Sequence, residues 1–137
     1  MPELLVANEH DTLKVNEAAL DLLARRVLAE EKCSWTYVGI ILDGHEAVHA
    51  LNREFLAHDY ETDVLSFLVD ESDEGLEGEV YVDLDTAMEN AARFETSFDQ
   101  EVARYVVHGL LHLAGHDDST DAAREGMRRL EDSYLAG

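Results

Sequence analysis

Two histidines and a nearby aspartate carry the clearest chemical signal in this chain. His108, His112 and Asp118 lie in the segment VVHGLLHLAGHDDST, which spans residues 106–120. Four residues along an α-helix correspond to about 400° of rotation and about 6 Å of rise, so the two imidazoles share one helical face. Gly115 can end that helix in a left-handed turn and reverse the chain. The pattern predicts a metal site in which both rings bind one cation.

The third ligand could be either of two residues that follow Gly115, namely Asp118 or His116. Carboxylate oxygen and imidazole nitrogen both bind zinc. Three protein ligands leave one coordination position for water, which is the arrangement of a catalytic zinc site. Nickel or iron would also accept two histidines and a carboxylate. We therefore expect one metal ion, with zinc as the first candidate.

A histidine pair at this spacing can also consist of ordinary packing or surface residues. Here the pair is flanked by VV, LL and LA, so the helix is strongly apolar. An imidazole in apolar surroundings needs a polar partner, because an unpaired polar group is costly to bury. The apolar flanks, with the glycine and aspartate that follow, favour metal binding over packing.

The composition limits the possible partners. The chain has 137 residues, which predicts a single domain over residues 1–137, and its formal net charge is −21, from 31 acidic and 10 basic residues. Non-specific nucleic-acid binding depends on Lys and Arg, so most of this surface should repel nucleic acid. An activity on RNA would need a local basic groove, a metal site or a basic protein partner.

Cysteine content and hydropathy favour a soluble cytoplasmic protein. Cys33 is the single cysteine, which excludes an internal disulfide framework and a CxxC motif. The first residues, MPELLVANEH, lack the basic and apolar regions of a signal peptide. No apolar run approaches the roughly 20 residues of a membrane span.

The elements that must position the histidines follow from the apolar patterning. Apolar and β-branched runs predict four strands, and apolar stripes with capping residues predict five helices. We expect an α+β domain with a small mixed β-sheet of about four strands covered by helices. The predicted strands are 3–8, 35–42, 64–69 and 80–84, and the predicted helices are 16–32, 45–56, 86–94, 98–114 and a last one ending near 135.

Three local expectations accompany these elements. Ser97 with Gln100 opens helix 98–114, which carries the histidine pair and is apolar nearly all round, so it should be central and buried. Asp85 should cap the preceding helix. The acidic stretch DESDEGLEG, residues 70–78, should form a solvated loop between two strands.

The spacing is also that of the metzincin proteases, with one important difference. The metzincin pattern places a glycine and a third ligand after the HExxH pair, and Gly115 and Asp118 occupy the matching positions, with Asp in place of His. The general base of the proteases is the Glu after the first histidine, where this chain has Gly109. The sequence therefore predicts a metzincin-like metal site used for another hydrolysis.

Three blocks of the chain resemble one family. The run HGLLHLAGHDD is similar to the signature of the YbeY family, the bacterial endoribonucleases and ribosomal-RNA maturation factors. LNREFLAHDYETDVLSF, residues 51–67, and GEVYVDLDTA, residues 78–87, resemble two further family blocks in the same order. The resemblance implies a metal-dependent, single-strand-specific endoribonuclease that acts in 3′-end maturation of small-subunit (16S) rRNA and in ribosome quality control. Its implied partners are single-stranded rRNA and ribosomal proteins or the small ribosomal subunit.

Two positions depart from the family pattern. Asp118 stands where the family usually has histidine, and this alignment favours Asp118 over His116 as the third ligand. Leu56 stands where the family typically has an arginine implicated in activity, which would suit phosphate through its bidentate fork. Arg53, one helical turn earlier, is a candidate replacement.

Further catalytic candidates flank the expected ligands. Asp117 is the nearest candidate for the general base, and Asp63 and Ser66, in the TDVLSF block, are candidates to line the cleft. Two alternative functions remain, namely a ribosome-assembly binding factor whose metal is mainly structural, and a metal-dependent hydrolase of another substrate. No sequence feature specifies the oligomeric state.

Overall fold

A four-stranded sheet and five helices make up the part of the chain that the computed structural model describes, residues 2–55, 63–116 and 118–136. The strands are β1 (Glu3–Asn8), β2 (Trp35–Asp43), β3 (Val64–Ser72) and β4 (Gly75–Asp83). The helices are α1 (Glu17–Glu30), α2 (His45–Phe55), α3 (Leu84–Arg93), α4 (Phe98–Leu113) and α5 (Asp121–Ala136). The prediction of a small mixed sheet covered by helices is confirmed.

The sheet is mixed because one edge strand runs against the others. Its order is β1-β2-β4-β3, with β1 and β4 parallel to β2 and with β3 antiparallel to β4. Side chains alternate between the two faces of a strand, and in β4 the buried positions are Leu76, Gly78, Val80 and Val82. One face of the sheet therefore supplies the core, while Glu77 on β4 faces outward.

Helix α4 lies at the centre of the molecule, as its sequence predicts. It packs against β3 and β4 of the sheet and against helices α1, α3 and α5. The Ser97 side chain accepts a hydrogen bond from the backbone N–H of Gln100, so the predicted cap is confirmed. Val106, Val107, Leu110 and Leu111 have no exposed surface. The element that carries the two histidines is thus held on several sides.

A glycine lets α4 approach the sheet closely. A Cβ atom on Gly109 would lie 2.4 Å from Cγ1 of Val80, closer than real carbon atoms approach each other, and at a tight 3.1 Å from Cγ2 of Val64. The Ser66 hydroxyl donates a hydrogen bond of 2.8 Å to the Gly109 carbonyl oxygen and ties β3 to the helix. The helix backbone therefore sits directly on the β3–β4 pair.

The acidic stretch 70–78 was expected to be a loop, and this expectation was wrong. Strand β3 continues to Ser72 and β4 begins at Gly75, so the stretch is the end of a β-hairpin. Backbone pairing between neighbouring strands does not require apolar side chains, and the acidic residues here are exposed. Leu76 and Gly78 are the buried positions of this stretch, and the Leu76 side chain, at 4% exposure, anchors this end of the hairpin.

The expected cap of α3 also moves by two residues. The Asp83 side chain, and not that of Asp85, accepts the Thr86 backbone N–H at 2.9 Å. Asp85 instead accepts hydrogen bonds from the backbone N–H of His45 and from the His10 ring. The cap moved because α3 begins directly at the end of β4, with no intervening turn.

Among the described residues, no helix is both long and apolar enough to cross a bilayer.

Candidate metal centre

The ligand atoms of His108, His112 and Asp118 converge on one point. Nε2 of His108 lies 3.1 Å from Nε2 of His112, and the two nitrogens lie 3.5 and 3.6 Å from the Asp118 carboxylate oxygens. A tetrahedral zinc ion with bonds of about 2.0–2.1 Å places its ligand atoms about 3.3 Å apart. The three spacings fit that arrangement, so the described residues include a cluster that can hold one metal ion.

The chain reversal after α4 brings Asp118 back to the histidines. Gly115 has a φ of +103°, a conformation that side-chain-bearing residues rarely adopt, so its predicted role in a left-handed turn is confirmed. Its N–H donates to the His112 carbonyl, and the His116 N–H donates to that of Leu111. These bonds are typical of a helix that ends at a glycine.

The His116 side chain points to a different partner. Its Nε2 lies 2.6 Å from a carboxylate oxygen of Glu31, on the residue that follows α1, and the Tyr134 hydroxyl donates to the other oxygen. Burial by itself would raise the pKa of Glu31. The hydrogen bonds from Tyr134 and His116, together with the charge of His116, have a larger effect in the opposite direction, so the pKa of Glu31 is lowered overall. This geometry favours Asp118 over His116 as the third ligand.

A buried carboxylate orients the first histidine. Glu131 of α5 lies with one oxygen 2.7 Å from Nδ1 of His108 and the other 2.9 Å from Nη1 of Arg104. When Nδ1–H donates to Glu131, the lone pair of Nε2 is left facing Asp118 and His112. Carboxylate–histidine pairs of this kind fix the tautomer of metal-binding imidazoles.

Sequence reasoning missed Glu131, although the sequence contains a signal for it. Met127, Glu131 and Tyr134 form the buried stripe of α5, and the glutamate is the charged member. A carboxylate at a core position requires a partner, because burial of an unpaired charge is costly. That partner, His108, lies 23 residues away in the sequence and on another helix, so the local pattern does not reveal it.

The two histidines differ in their affinity for protons. Burial lowers the pKa of His108, but the hydrogen bond that its ring donates to Glu131 and the charges of Glu131, Asp118 and Asp63 outweigh this effect, so the net shift of the pKa is upward. Burial and the neighbouring His108 charge lower the pKa of His112. In the metal-free pair, His108 therefore binds a proton more readily than His112 does, and metal binding competes with that proton.

The cluster opens onto a cleft of about 670 Å³ between α4, α5 and the start of β3. Burial is the largest influence on Asp63, at the start of β3, and it raises the pKa of that carboxyl, with Asp83 and Glu131 adding to the rise. A partly buried carboxyl with a raised pKa beside a metal site is a candidate for proton transfer. The cleft is lined by Asp63, Val64, Asn90, Phe94, Thr96, Glu101, Arg104, Tyr105, His108, Asp118, Arg124, Glu125, Met127, Arg128 and Glu131.

Two predicted catalytic residues lie apart from this lining. The Ser66 hydroxyl is bonded to the Gly109 carbonyl between β3 and α4. Arg53 is exposed near the end of α2. Asp117 and Leu56 fall outside the described residues.

Steric packing explains why the protease base is missing. Gly109 occupies the position of the HExxH glutamate, and the direction of its side chain is filled by Val80, Val64 and Ser66 of the sheet. A glutamate at this position would require the helix to move away from β3 and β4. The geometry therefore keeps the candidate ligands of the metzincin pattern together and leaves no room for its acid–base residue.

A mixed sheet lies beneath a central helix that carries two histidines, and a glycine turn returns a carboxylate to them, so the domain is of mixed α/β type with a site that could hold a metal ion. The family model described as Endoribonuclease YbeY matches residues 5–137. The chain therefore belongs to the YbeY endoribonuclease family, and the resemblance predicted from the three sequence blocks is confirmed.

Curated relatives and a solved structure agree with this assignment. The chain is 45% identical to Endoribonuclease YbeY of Salinibacter ruber, over 96% of this chain and 89% of that protein. It is 41% identical to Endoribonuclease YbeY of Chlorobium phaeobacteroides, over 89% and 88%. The solution structure of TM1509 from Thermotoga maritima superimposes with a TM-score of 0.66 at 29% identity, covering 97% of this chain and 87% of that one.

Proposed function

We propose that this protein is a zinc-dependent, single-strand-specific endoribonuclease that matures the 3′ end of 16S rRNA in the cytoplasm. The observation that carries the proposal is the convergence of His108, His112 and Asp118 at tetrahedral spacing beside an open cleft. The name of its relatives, Endoribonuclease YbeY, supplies the reaction class. Residues 1–137 act in this proposal as one functional unit.

The exposure of the ligands favours a catalytic metal over a structural one. The side chains of His108, His112 and Asp118 are 24%, 32% and 36% exposed, so the ion would be reachable from solvent. Structural zinc sites are usually closed by four protein ligands, whereas catalytic sites keep one position open. Three partly exposed ligands, of which His108 and Asp118 line a cleft, correspond to the open type.

The chain's own residues would orient and protonate groups around that ion. Bound zinc would lower the pKa of water toward about 7 and polarise a phosphoryl oxygen. Glu131 and Arg104 hold His108 in the ligating tautomer. Asp63, whose pKa is raised by burial, is placed to take or return a proton in the cleft, which makes it a second general-base candidate beside the predicted Asp117. The predicted roles of Arg53 and Ser66 remain predictions.

The net charge supports a ribosomal setting for this activity. A surface with a formal net charge of −21 attracts basic proteins and repels free nucleic acid. Many ribosomal proteins are basic, so we propose that contact with the small subunit brings the enzyme to its RNA. Contact with the small subunit is also what the alternative function requires, namely a ribosome-assembly factor whose metal is structural.

One comparison of variants tests the proposed reaction. Metal-loaded wild type, His112→Ala and His116→Ala are incubated with a single-stranded RNA, an RNA duplex and a peptide mixture. We expect wild type and His116→Ala to cleave the single strand, while His112→Ala does not, because His116 is paired with Glu31 outside the cluster. Equal RNA decay with wild type and His112→Ala would contradict the proposal.

Metal content distinguishes the remaining alternatives. Elemental analysis of purified wild type and Asp118→Ala identifies the ion and tests the third ligand, and we expect one zinc per chain in wild type and a large loss in the variant. Full metal retention by Asp118→Ala would count against that ligand. A folded, metal-loaded wild type without RNA cleavage, combined with an unfolded His112→Ala, would favour the structural role.

A further inference from the structure

The cleft carries an unusual share of the few positive charges in this chain. Three of the ten basic residues, Arg104, Arg124 and Arg128, line it together with five carboxylates. Its net charge without metal is therefore −2, and a bound divalent cation would bring it to zero, whereas the whole chain carries −21. A polyanion meets less repulsion in this cleft than on the surrounding surface.

The three arginines differ in how far their charge is already neutralised. Arg104 donates to the carboxylates of Glu131 and Asp132 and is fully engaged. Arg124 pairs with Asp121, and its Nη1 lies 3.3 Å from the carbonyl oxygen of Asp118. Arg128 is exposed and forms no ion pair with any residue in the described ranges. The guanidinium of Arg128 is thus available to a ligand.

Arg124 and Arg128 also stand in line with the metal cluster. They are four residues apart on α5, so they share one face and are separated by about 6 Å along the axis. The bond from Arg124 to the Asp118 backbone places the first guanidinium beside a metal ligand. Arg128 follows Arg124 by one helical turn on that face and also lines the cleft.

An exposed aromatic ring occupies the same cleft. Phe94, the residue that follows α3, is 59% exposed and lines the cleft. The guanidinium of Arg93 lies 5.3 Å from the centre of its ring. Aromatic side chains beside a positive row are the elements with which proteins hold single-stranded nucleic acid, because the ring stacks on a base while the cations contact the backbone.

We infer that Arg124 and Arg128 bind backbone phosphates next to the scissile bond and that Phe94 stacks a base of the same strand. This inference rests on the proposed endoribonuclease function and assigns its substrate-binding residues. Guanidinium groups bind phosphate oxygens through two parallel hydrogen bonds, and phosphate contacts position a strand without reading its sequence. The site therefore takes a single-stranded RNA with little base preference.

The test compares Arg128→Gln with Arg129→Gln. Arg129 is the next residue of the same helix, its side chain is 75% exposed, and it pairs with Glu125 and does not line the cleft. Both variants change the net charge equally, so a difference between them reports position and not charge. For cleavage of a single-stranded RNA oligonucleotide by the zinc-loaded protein, we expect the KM of Arg128→Gln to rise about 10-fold. The salt slope of its RNA affinity should fall by about 1.

The aromatic contact has its own pair of variants. Phe94→Ala should raise KM for the same oligonucleotide about 10-fold, since a stacked base contributes on the order of 1–3 kcal/mol. Met88→Ala removes another exposed apolar side chain of α3 that does not line the cleft, and it should leave KM unchanged. Equal KM values for these two variants would overturn the stacking role.

Failure of this inference can be told apart from failure of the proposed function. If wild type cleaves RNA but Arg128→Gln and Arg129→Gln have equal KM values and salt slopes, the phosphate site is overturned and the endoribonuclease function stands. If wild type cleaves no RNA, fluorescence anisotropy with a labelled oligonucleotide still compares the two variants, and equal Kd values overturn the site. Should Arg128→Gln unfold, Arg128→Lys keeps the charge without the bidentate fork, and an unchanged KM then counts against the site.

Discussion

Replacement of Glu131 by glutamine tests the support of the metal site most directly. The Glu131 side chain is 8% exposed, and its two oxygens face two hydrogen-bond donors, Nδ1–H of His108 and Nη1–H of Arg104. A glutamine has the same shape but offers one acceptor and one donor. In either orientation of the amide, one N–H group would face another. The least costly response is for His108 to change tautomer, which places a proton on Nε2, the atom that faces the cluster.

The expected loss of metal affinity follows from that tautomer change. Loss of an outer carboxylate partner typically weakens metal binding about 10- to 100-fold, which corresponds to about 1.4 to 2.7 kcal/mol of binding free energy. We expect a loss of stability of roughly 1–3 kcal/mol in the metal-free protein, because a buried charge-assisted hydrogen bond is lost while Arg104 keeps Asp132. The loss of zinc affinity in Glu131→Gln should persist under conditions where the variant and the wild type are both fully folded.

The assay is a zinc titration by chelator competition, with Asp132→Asn as the matched control. Asp132 is the other carboxylate of Arg104 and does not contact His108 among the described residues, so this variant removes a charge from the same network without disturbing the tautomer. We expect its zinc affinity to stay within about twofold of wild type, since its side chain is exposed. Equal zinc affinities for Glu131→Gln and wild type would refute the reasoning.

Three further substitutions test other parts of the site. Burial raises the pKa of Asp63, so the folded protein binds the carboxyl proton more tightly than the unfolded chain does. At a pH above about 4, the pKa of this carboxyl in the unfolded chain, Asp63 therefore lowers the stability of the fold. Asp63→Asn should therefore raise the Tm of the metal-free protein at pH 7, and the increase in Tm should grow as the pH rises from 4. The same variant should lower RNA cleavage. An increase in Tm that does not depend on pH would contradict this reasoning. Gly109→Ala should destabilise the fold by roughly 1–3 kcal/mol in urea, because its Cβ would lie 2.4 Å from a Val80 carbon; an unchanged unfolding midpoint would show that α4 can move. His116→Ala should leave zinc affinity unchanged within about twofold and lower stability by at most about 1 kcal/mol, since its pair with Glu31 is partly exposed; a large loss of zinc would restore His116 as a ligand.

The elements were predictable where the pattern is apolar and periodic. Helix α4 has a capping serine, an apolar stripe and a glycine at its end, and all three signals agree with the structure. The hairpin over 70–78 was not predictable in this way, because its acidic side chains resemble those of a solvated loop. Its strands are held by backbone hydrogen bonds to each other and by the burial of Leu76, and neither depends on local patterning.

The roles of the supporting residues depended on contacts between distant segments. Glu131 is 23 residues from His108 in the sequence, and Glu31 is 85 residues from His116. A single sequence gives the residue types but not the pairing of such positions. The geometric preference for Asp118 over His116 depends on the pairing of His116 with Glu31, the residue that follows α1.

The sequence by itself determined the candidate ligand set, whose atoms the structure brings together, and the helix that carries the two histidines, because helical spacing and a glycine turn are local properties of the segment 106–120. The tertiary structure decided what surrounds those ligands. It placed Glu131 behind His108, filled the space beside Gly109 with the sheet, and gathered arginines of α4 and α5 on one cleft. The physical reason is that ligand spacing follows from backbone geometry over a few residues. The orientation of the His108 ring, the charge balance of the cleft and the exclusion of a side chain at position 109 depend instead on which helices and strands pack together.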